Sequence, residues 1–279
     1  MSTIATPVPV VHKTPALTNL HALATLARRR FTLTARTPRE LVVPLLTPVL
    51  FALVIAPALR NALHTSAAYE AYVATGTLGL LIPLNTMFAG LGVIGDRETG
   101  AQPELLAAPI PRLLLVLANL VVALGVTALQ VGVLIVAALA RGIDLNVSAT
   151  GVLWFGGAAT LFAIGMYGVA ETLAARVPRQ EEYISRVPAI AIVPWFLAGS
   201  LFPIVAMPQG LTYFSKVLPL THGLALMRYG LLGDRSGLEN IWGMSSTGTM
   251  AALSLGVVTL FAALLTAVSI RVFTRSSVR

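Results

Sequence analysis

Six stretches of the chain contain no aspartate, glutamate, lysine or arginine, and each is at least 19 residues long. An α-helix needs about 20 apolar residues to cross the hydrocarbon core of a bilayer. Each stretch is therefore predicted to form one membrane-spanning helix, because a helix satisfies its own backbone hydrogen bonds in lipid. The six predicted spans are Leu41–Leu59, Ala71–Gly95, Leu113–Ala140, Leu145–Ala170, Val187–Ser215 and Ile241–Ile270.

The composition supports an all-α membrane protein. Charged residues make up only 11% of the chain and the mean hydropathy is +0.84, whereas soluble domains contain about 25% charged residues. We expect one membrane domain over residues 1–279, with no second domain. The net charge of +8 predicts contact with anionic lipid headgroups and not with nucleic acid, because the basic residues flank the spans.

The sequence offers no catalytic or metal-binding pattern. It contains no cysteine, no phosphate-binding Gly-x-x-x-x-Gly-Lys-Ser/Thr loop and no His-Glu-x-x-His motif. Its four histidines are scattered along the chain, and none has a carboxylate at ligand spacing. We therefore expect no enzymatic activity, no metal and no cofactor bound by the chain itself.

The distribution of basic residues predicts the orientation. With six spans both termini lie on one side, and 14 of the 19 lysines and arginines belong to segments on that side. Because basic residues accumulate in cytoplasmic loops, both termini are predicted to be cytoplasmic. The expected location is the plasma (inner) membrane.

An amphipathic helix is predicted over residues 15–37, before the first span. Pro15 can begin it and Pro38 can end it. An apolar stripe at helical spacing predicts that it lies in the cytoplasmic interface. Whether it is a plain anchor or is linked to a gate stays open. The stripe consists of Leu17, Leu20, Leu23, Ala24, Ala27 and Phe31.

Prolines and glycines interrupt the fifth stretch, which makes one continuous helix improbable. A span from about Arg186 to Ala206 fits better. Residues 207–233 are then predicted to form a broken, re-entrant-like external hairpin before the last span. Its backbone polar groups need protein or water around them at membrane depth, so we expect it to pack on other spans.

A short charged island, residues 96–108, separates the second and third spans. Asp96 and Glu98 are predicted at a helix start, where the helix dipole favours acids. Gly100 can end that turn. Pro103 can begin a second short helix with Glu104 in its first turn. Two short helices with an acidic and an apolar face predict a docking element for a soluble partner, with a plain solvated loop as the alternative.

Glu171 lies at the end of the fourth inferred span, one turn from the basic fourth connection. Intramembrane acids are commonly functional, so it is a candidate for gating or proton coupling. The alternative is a carboxylate that pairs with Arg176 or reaches the interface.

The island resembles the coupling-helix signature of type-2 ABC exporter permeases. The similarity rests on Asp96-Arg97-Glu98-Thr99-Gly100 and on Glu104-Leu105-Leu106-Ala107-Ala108-Pro109 followed by Arg112. Asp96 replaces a glutamate of the family pattern, and Gln102-Pro103 interrupts a segment that the family keeps helical. Near the end of the chain, Phe202-Pro203, Pro219-Leu220-Thr221-His222 and Met227-Arg228-Tyr229 look like the family's closing block.

The resemblance implies a permease that exports an amphipathic drug, a lipid or a lipid-linked polymer. It implies a homodimer, or a heterodimer with a related permease, bound to ATP-binding subunits that carry ATP and magnesium. The coupling residues would be Asp96, Arg97, Glu98, Thr99, Gly100, Glu104, Leu105 and Leu106. The helix at 15–37 would be a second contact with the ATPase, and the hairpin at 207–233 would help to close the exit, with Phe214 and Arg228 as gating candidates.

Two other functional classes stay open. An ion-coupled secondary carrier needs more buried charge than this sequence contains. A non-transporting membrane assembly protein is compatible with the missing catalytic motifs.

Overall fold

The structure is a computed structural model that describes residues 15–145 and 148–276, and every regular element in these ranges is helical. The helices in chain order are α1 (Pro15–Ala35), α2 (Pro38–Leu50), α3 (Ala56–Ala62), α4 (Ala67–Gly76), α5 (Leu78–Ala89), α6 (Leu91–Glu98), α7 (Ala101–Ala107), α8 (Leu113–Ala140), α9 (Ala149–Ala174), α10 (Gln180–Leu197), α11 (Gln209–Val217), α12 (Pro219–Leu232), α13 (Ser236–Trp242) and α14 (Thr247–Ser276). A π-helical segment, Phe51–Ile55, joins α2 to α3, and a 3-10 turn, Ile204–Ala206, precedes α11. The count of basic residues included Lys13, Arg39, Arg275 and Arg279, and the apolar stripe included Leu17. Lys13, Arg279 and the side chains of Leu17, Arg39 and Arg275 lie outside the part of the chain that the structure describes.

Five helical segments of the described chain are long and apolar enough to cross a membrane. Each agrees with a predicted span to within six residues at either end, and the third has the predicted bounds. The chain is therefore a multi-pass, all-helical membrane protein. The five segments are Leu45–Ala62, Ala67–Glu98, Leu113–Ala140, Ala149–Ala174 and Thr247–Phe273.

The second of these segments forms the centre of the bundle. Of its apolar window 72% is buried, against 17–39% for the others. It consists of α4, α5 and α6, which meet at Thr77 and Gly90. A Cβ at Gly90 would lie 2.3 Å from the Tyr183 hydroxyl, which donates a hydrogen bond to the Met87 carbonyl at 2.6 Å. A ring from α10 therefore fills the bend between α5 and α6.

The stretch predicted as the fifth span is not among the five segments. Its helix, α10, begins before the predicted start and carries Glu181 and Glu182 in its first turn. It ends at Leu197, so the predicted continuation to Ala206 is wrong. Gly199 adopts a left-handed conformation with φ of +76°, and Pro203 follows, so the chain turns out of the helix. A sixth crossing and a common side for both termini stay predictions.

The hairpin before the last span consists of α11 and α12. Almost every residue of α12 is buried, as expected for a segment that packs on other spans. For α11 the prediction that the hairpin packs on other spans is wrong for the single chain. Leu211 is exposed, and Phe214 is 53% exposed. The two halves of the hairpin thus face different surroundings.

Helix α1 has nearly the predicted bounds, and it packs extensively against α8. Leu26 shares a small cavity with Leu115, and Thr34 shares another with Val126. The two helices therefore run side by side over this length. Leu20 and Phe31 from the predicted apolar stripe face away from the chain, at 63% and 59% exposure, so the stripe is available to lipid.

Candidate functional site

The charged island begins as the end of a span helix and not as a new helix. Asp96 and Glu98 lie in the last turn of α6, so their predicted place at a helix start is wrong. The physical reason is that α6 continues the second span beyond Gly90. Gly100 has a φ of +76° and reverses the chain, which a glycine does without steric cost.

Helix α7 follows directly from this turn. It begins at Ala101, not at Pro103, and Glu104 lies in its first turn as predicted. Pro103 is compatible with the helix because the first turn needs no backbone donors. Leu106 packs against a buried cluster that includes Val116 and Phe273. Glu104 is exposed on the opposite face, and Leu105 and Leu106 are half-buried, so the two faces of α7 differ in polarity.

Asp96 joins α6 to α1. Its carboxylate accepts a hydrogen bond from Arg29 at 2.8 Å and lies 3.6 Å from Arg30. The side chains of Asp96 and Arg30 are mostly buried. Salt therefore screens this ion pair less than it screens a pair on the surface. The contact links the end of the second span to the helix that precedes the first.

Arg97 joins α6 to the end of α9. Its guanidinium donates to the carbonyls of Ala174 at 3.3 Å, Val177, and Pro178 at 3.5 Å. The last carbonyls of a helix have no partner inside that helix, and a cation there also complements the helix dipole. Arg97 therefore caps the turn between α9 and α10.

Glu98 joins α6 to the start of α10. Its carboxylate accepts from the Gln180 backbone N–H at 3.3 Å and from the Gln180 side-chain amide at 2.9 Å. The first N–H groups of α10 need acceptors, and an acid near this end is favourable. Three consecutive residues, 96 to 98, thus contact three different parts of the bundle. We call this arrangement the α6 anchor.

Thr99 completes the α6 anchor locally. Its hydroxyl donates to the Gly95 carbonyl at 2.8 Å, which satisfies an acceptor in the last turn of α6. Leu105 lines a small cavity with Leu26 and Leu115. The predicted coupling residues are therefore close together: residues 96–98 contact other helices, whereas Thr99 and Glu104 are exposed.

The side chain of Arg30 lies across α6 and packs against Gly92. It is 8% exposed, and its guanidinium donates to the Ala89 carbonyl at 3.4 Å. A Cβ at Gly92 would lie 0.7 Å from Arg30 Nη2. Gly92 therefore provides the space through which α1 reaches the second span.

Replacing Gly92 by alanine should detach α1 from α6 without unfolding the bundle, since the clashing atom is the end of a flexible side chain. We expect the ATP-dependent transport that the family resemblance implies to fall about tenfold, a typical size for coupling between sites, with unchanged yield of folded protein. Gly95→Ala is the matched control, because its nearest neighbour is 3.6 Å away. Equal transport by the two variants would contradict a role for this crossing.

Glu171 is buried in the bundle at 1% exposure. Its Oε2 accepts a hydrogen bond from the Tyr167 hydroxyl at 2.7 Å, and its Oε1 has no hydrogen-bond partner in the described chain. No ion pair with Arg176 occurs among the described residues. The two alternatives for Glu171, an ion pair with Arg176 and a carboxylate that reaches the interface, are therefore both wrong. A role of Glu171 in gating stays a prediction.

Arg228 forms the main contact at the opposite end of the bundle. It is 3% exposed and donates to the carbonyls of Gly199 at 2.8 Å, Ser200 at 2.9 Å and Tyr72 at 3.0 Å. Its guanidinium also lies 3.4 Å from the centre of the Tyr72 ring. We call this contact the Arg228 clamp. It joins α12 to the end of α10 and to α4, whereas Phe214, the other candidate in the hairpin, is exposed.

The sequence did not predict most of the partner residues in the α6 anchor and in the Arg228 clamp. Gln180, Gly92 and Tyr72 carry no local signal, because each acts on a residue far away in the chain. Arg29 and Arg30 were counted only as charges that set the orientation. A buried arginine beside a glycine becomes visible only when the helices are assembled.

Comparison with known proteins identifies relatives. A family model described as an ABC-2 type transporter matches residues 21–232. The chain is also 24% identical over 246 residues to a protein named transport permease ycf38 from Porphyra purpurea, and the match covers 85% of this chain and 84% of that protein. The family match contains the α6 anchor and Arg228.

Proposed function

Because the chain belongs to the ABC-2 type transporter family, we propose that it is the permease subunit of an ATP-driven exporter. Family membership makes it a membrane subunit of an ABC transporter and implies a partner that binds ATP. The proposed cargo is an amphipathic drug, a lipid or a lipid-linked polymer. ATP and magnesium would be bound by the partner, and the proposed location is the plasma (inner) membrane with both termini cytoplasmic.

The α6 anchor is the observation that supports ATP-driven movement. The exposed face of α7 around Glu104 is free for a soluble subunit. A displacement of α7 acts on α1 through Asp96, on the end of α9 through Arg97 and on α10 through Glu98. Coupling energy is carried through connected side-chain contacts and hydrogen bonds, and the α6 anchor would supply such contacts to α1, α9 and α10. The exposed stripe of α1 would rest on lipid beside it, and α1 would form a second contact with the ATPase.

The exposed apolar surface supports a dimer. Val193 and Phe196 of α10 are about half exposed, as are Val205 and Phe214 in the segment that follows. Val193 and Phe196 lie three residues apart, on one face of α10, and in a membrane either lipid or another subunit can cover such a face. We propose that a second copy, or a related permease, covers this face, with the exit path between the two subunits and Phe214 beside it.

The family match favours this function over the two alternatives. An ion-coupled carrier would use Glu171 as its titrating group, and a single carboxylate hydrogen-bonded to Tyr167 supplies little for ion coupling. An assembly protein has no need of a turn that connects α1, α9 and α10.

Co-purification tests the proposed function. The chain is expressed with each ABC ATP-binding subunit of its source cell, and ATP hydrolysis is measured with panels of drugs, lipids and polymers. We expect one ATPase to co-purify and one cargo class to stimulate it. Glu104→Arg should weaken this association, whereas Glu239→Arg, an exposed acid on α13, should not. Failure of every ATPase to bind would overturn the proposal.

A further inference from the structure

A cavity of about 490 Å³ opens at the end of the bundle that carries the Arg228 clamp. Small-molecule sites typically have volumes of about 300–1,000 Å³, so this cavity fits an organic molecule better than a bare ion. Asp144 contributes from the connection between α8 and α9, and Asp234 contributes from the connection between α12 and α13. Tyr69 and Tyr72 of α4 form another part of the wall.

The charge of the cavity is negative. Among the described residues, no lysine, arginine or histidine lines it. Arg235 lies between the wall residues Asp234 and Ser236 but does not line the cavity, and Arg60 and Arg141 pair with Glu70 at 2.8 and 3.6 Å. Neither Asp144 nor Asp234 forms an ion pair within the part of the chain that the structure describes.

The positions of the wall residues are well defined. The Asp234 carboxylate accepts from the Ser236 backbone N–H at 2.9 Å. Arg228 interacts with Asp234 only through space, because its own hydrogen bonds go to three carbonyls. The charge of Asp234 is thus partly offset from behind the wall, whereas Asp144 is not offset by any described ion pair.

The aromatic part of the wall also suits a cation. The Tyr72 hydroxyl donates to the Gly199 carbonyl at 2.7 Å, which holds the ring in place. The Arg228 guanidinium already covers one face of that ring, so Tyr69 is the other ring of the wall that a ligand cation can contact. Pro203 and Leu232 add apolar surface. The walls therefore combine negative charge, aromatic rings and apolar contacts.

From this combination we infer that the cavity binds an organic cation with an apolar or aromatic body. The inference rests on the proposed function in one respect, since it makes the cavity the site from which exported cationic amphiphiles leave. Charge complementarity selects the cation, and the apolar surface selects an amphiphile over a small inorganic ion. We expect an anionic amphiphile of the same size to bind more weakly, because the two carboxylates repel it.

Binding of fluorescent dyes to the full-length chain in nanodiscs tests the inference without any ATPase. Ethidium is the cationic probe and fluorescein is the anionic probe, with empty nanodiscs correcting for partition into lipid. We expect saturable binding of ethidium alone. The double variant Asp144→Asn with Asp234→Asn should weaken it about tenfold, as expected when close charge pairs are lost. Asparagine keeps the shape of each side chain and can still accept from Ser236.

Two further variants complete the test. Glu239→Gln removes an exposed acid of the same end of the bundle that does not line the cavity, and it should leave ethidium binding unchanged. Tyr69→Leu should weaken binding, and Tyr69→Phe should not. Equal ethidium affinity in the double variant, or saturable fluorescein binding, would overturn the inferred site. ATP-driven transport without ethidium binding would reject this site alone, and ethidium binding without an ATPase partner would reject only the proposed function.

Discussion

Gly76→Ala is expected to destabilise the protein more than any other small change in the bundle. A Cβ at this position would lie 2.1 Å from the Ser200 carbonyl oxygen and 2.9 Å from Arg228 Nη2. The first atom belongs to the backbone and cannot move away without shifting the end of α10. The same carbonyl is an acceptor in the Arg228 clamp, so the substitution also leaves a buried guanidinium poorly satisfied. We expect a loss of about 3 kcal/mol, the upper end for overpacked sites.

Gly125→Ala is the matched control for this change. It is also a glycine inside a span helix, but nothing lies within 4 Å of the position that its Cβ would take. Alanine favours a helix over glycine by about 0.5–1 kcal/mol, so this variant should be neutral or slightly more stable. The measurement is the thermal midpoint of each variant in detergent, followed by fluorescence size exclusion. Equal midpoints would show that the Arg228 clamp adds nothing to stability.

Arg97→Ala is expected to have the largest effect on function. The variant removes the guanidinium that donates hydrogen bonds to the carbonyls of Ala174, Val177 and Pro178. Ala174 and Val177 are fully buried when Arg97 is present, but truncating this half-buried side chain opens space for water to reach their carbonyls, so the fold should persist. The connection from α7 to the end of α9 should be lost. We expect ATP-dependent transport to fall about 50-fold, within the range for coupling between sites.

The readout for Arg97→Ala separates coupling from docking. The ATPase should still co-purify, because the exposed face of α7 is unchanged, while transport into liposomes falls. Arg176→Ala is the control, since Arg176 is an exposed residue of the same connection and forms no ion pair among the described residues. A variant at 97 that transports like the variant at 176 would remove Arg97 from the coupling path.

Most of the span positions could be predicted from the sequence. Hydrocarbon excludes charged side chains, so the length of a charge-free stretch is a direct signal of a crossing helix. This is why Leu113–Ala140 has the predicted bounds. The signal was insufficient for the fifth stretch, where the chain is equally free of charge but Gly199 ends the helix at a turn. Hydropathy does not report where a helix ends inside an apolar run.

The candidate site was predicted as a segment but not as a set of contacts. The motif located residues 96–106, and Glu104 lies in the first turn of α7 as predicted, while the leucines of this helix are half-buried. The placement of Asp96 and Glu98 at a helix start was wrong, because the rule that acids favour helix starts is local. Their partners are 67 and 82 residues away in the chain, and Glu98 does serve a helix start, but that of α10.

The sequence by itself therefore determined the class of protein, five of the spans and the charged segment between the second and third spans, since each depends on local polarity or on a short motif. Only the tertiary structure decided which side chains hold the bundle together at its two ends. The contacts of Arg97 and of Arg228 join helices that are distant in sequence, and each requires a close approach of backbones. Such contacts depend on how the helices pack, and no local pattern of residues encodes that geometry.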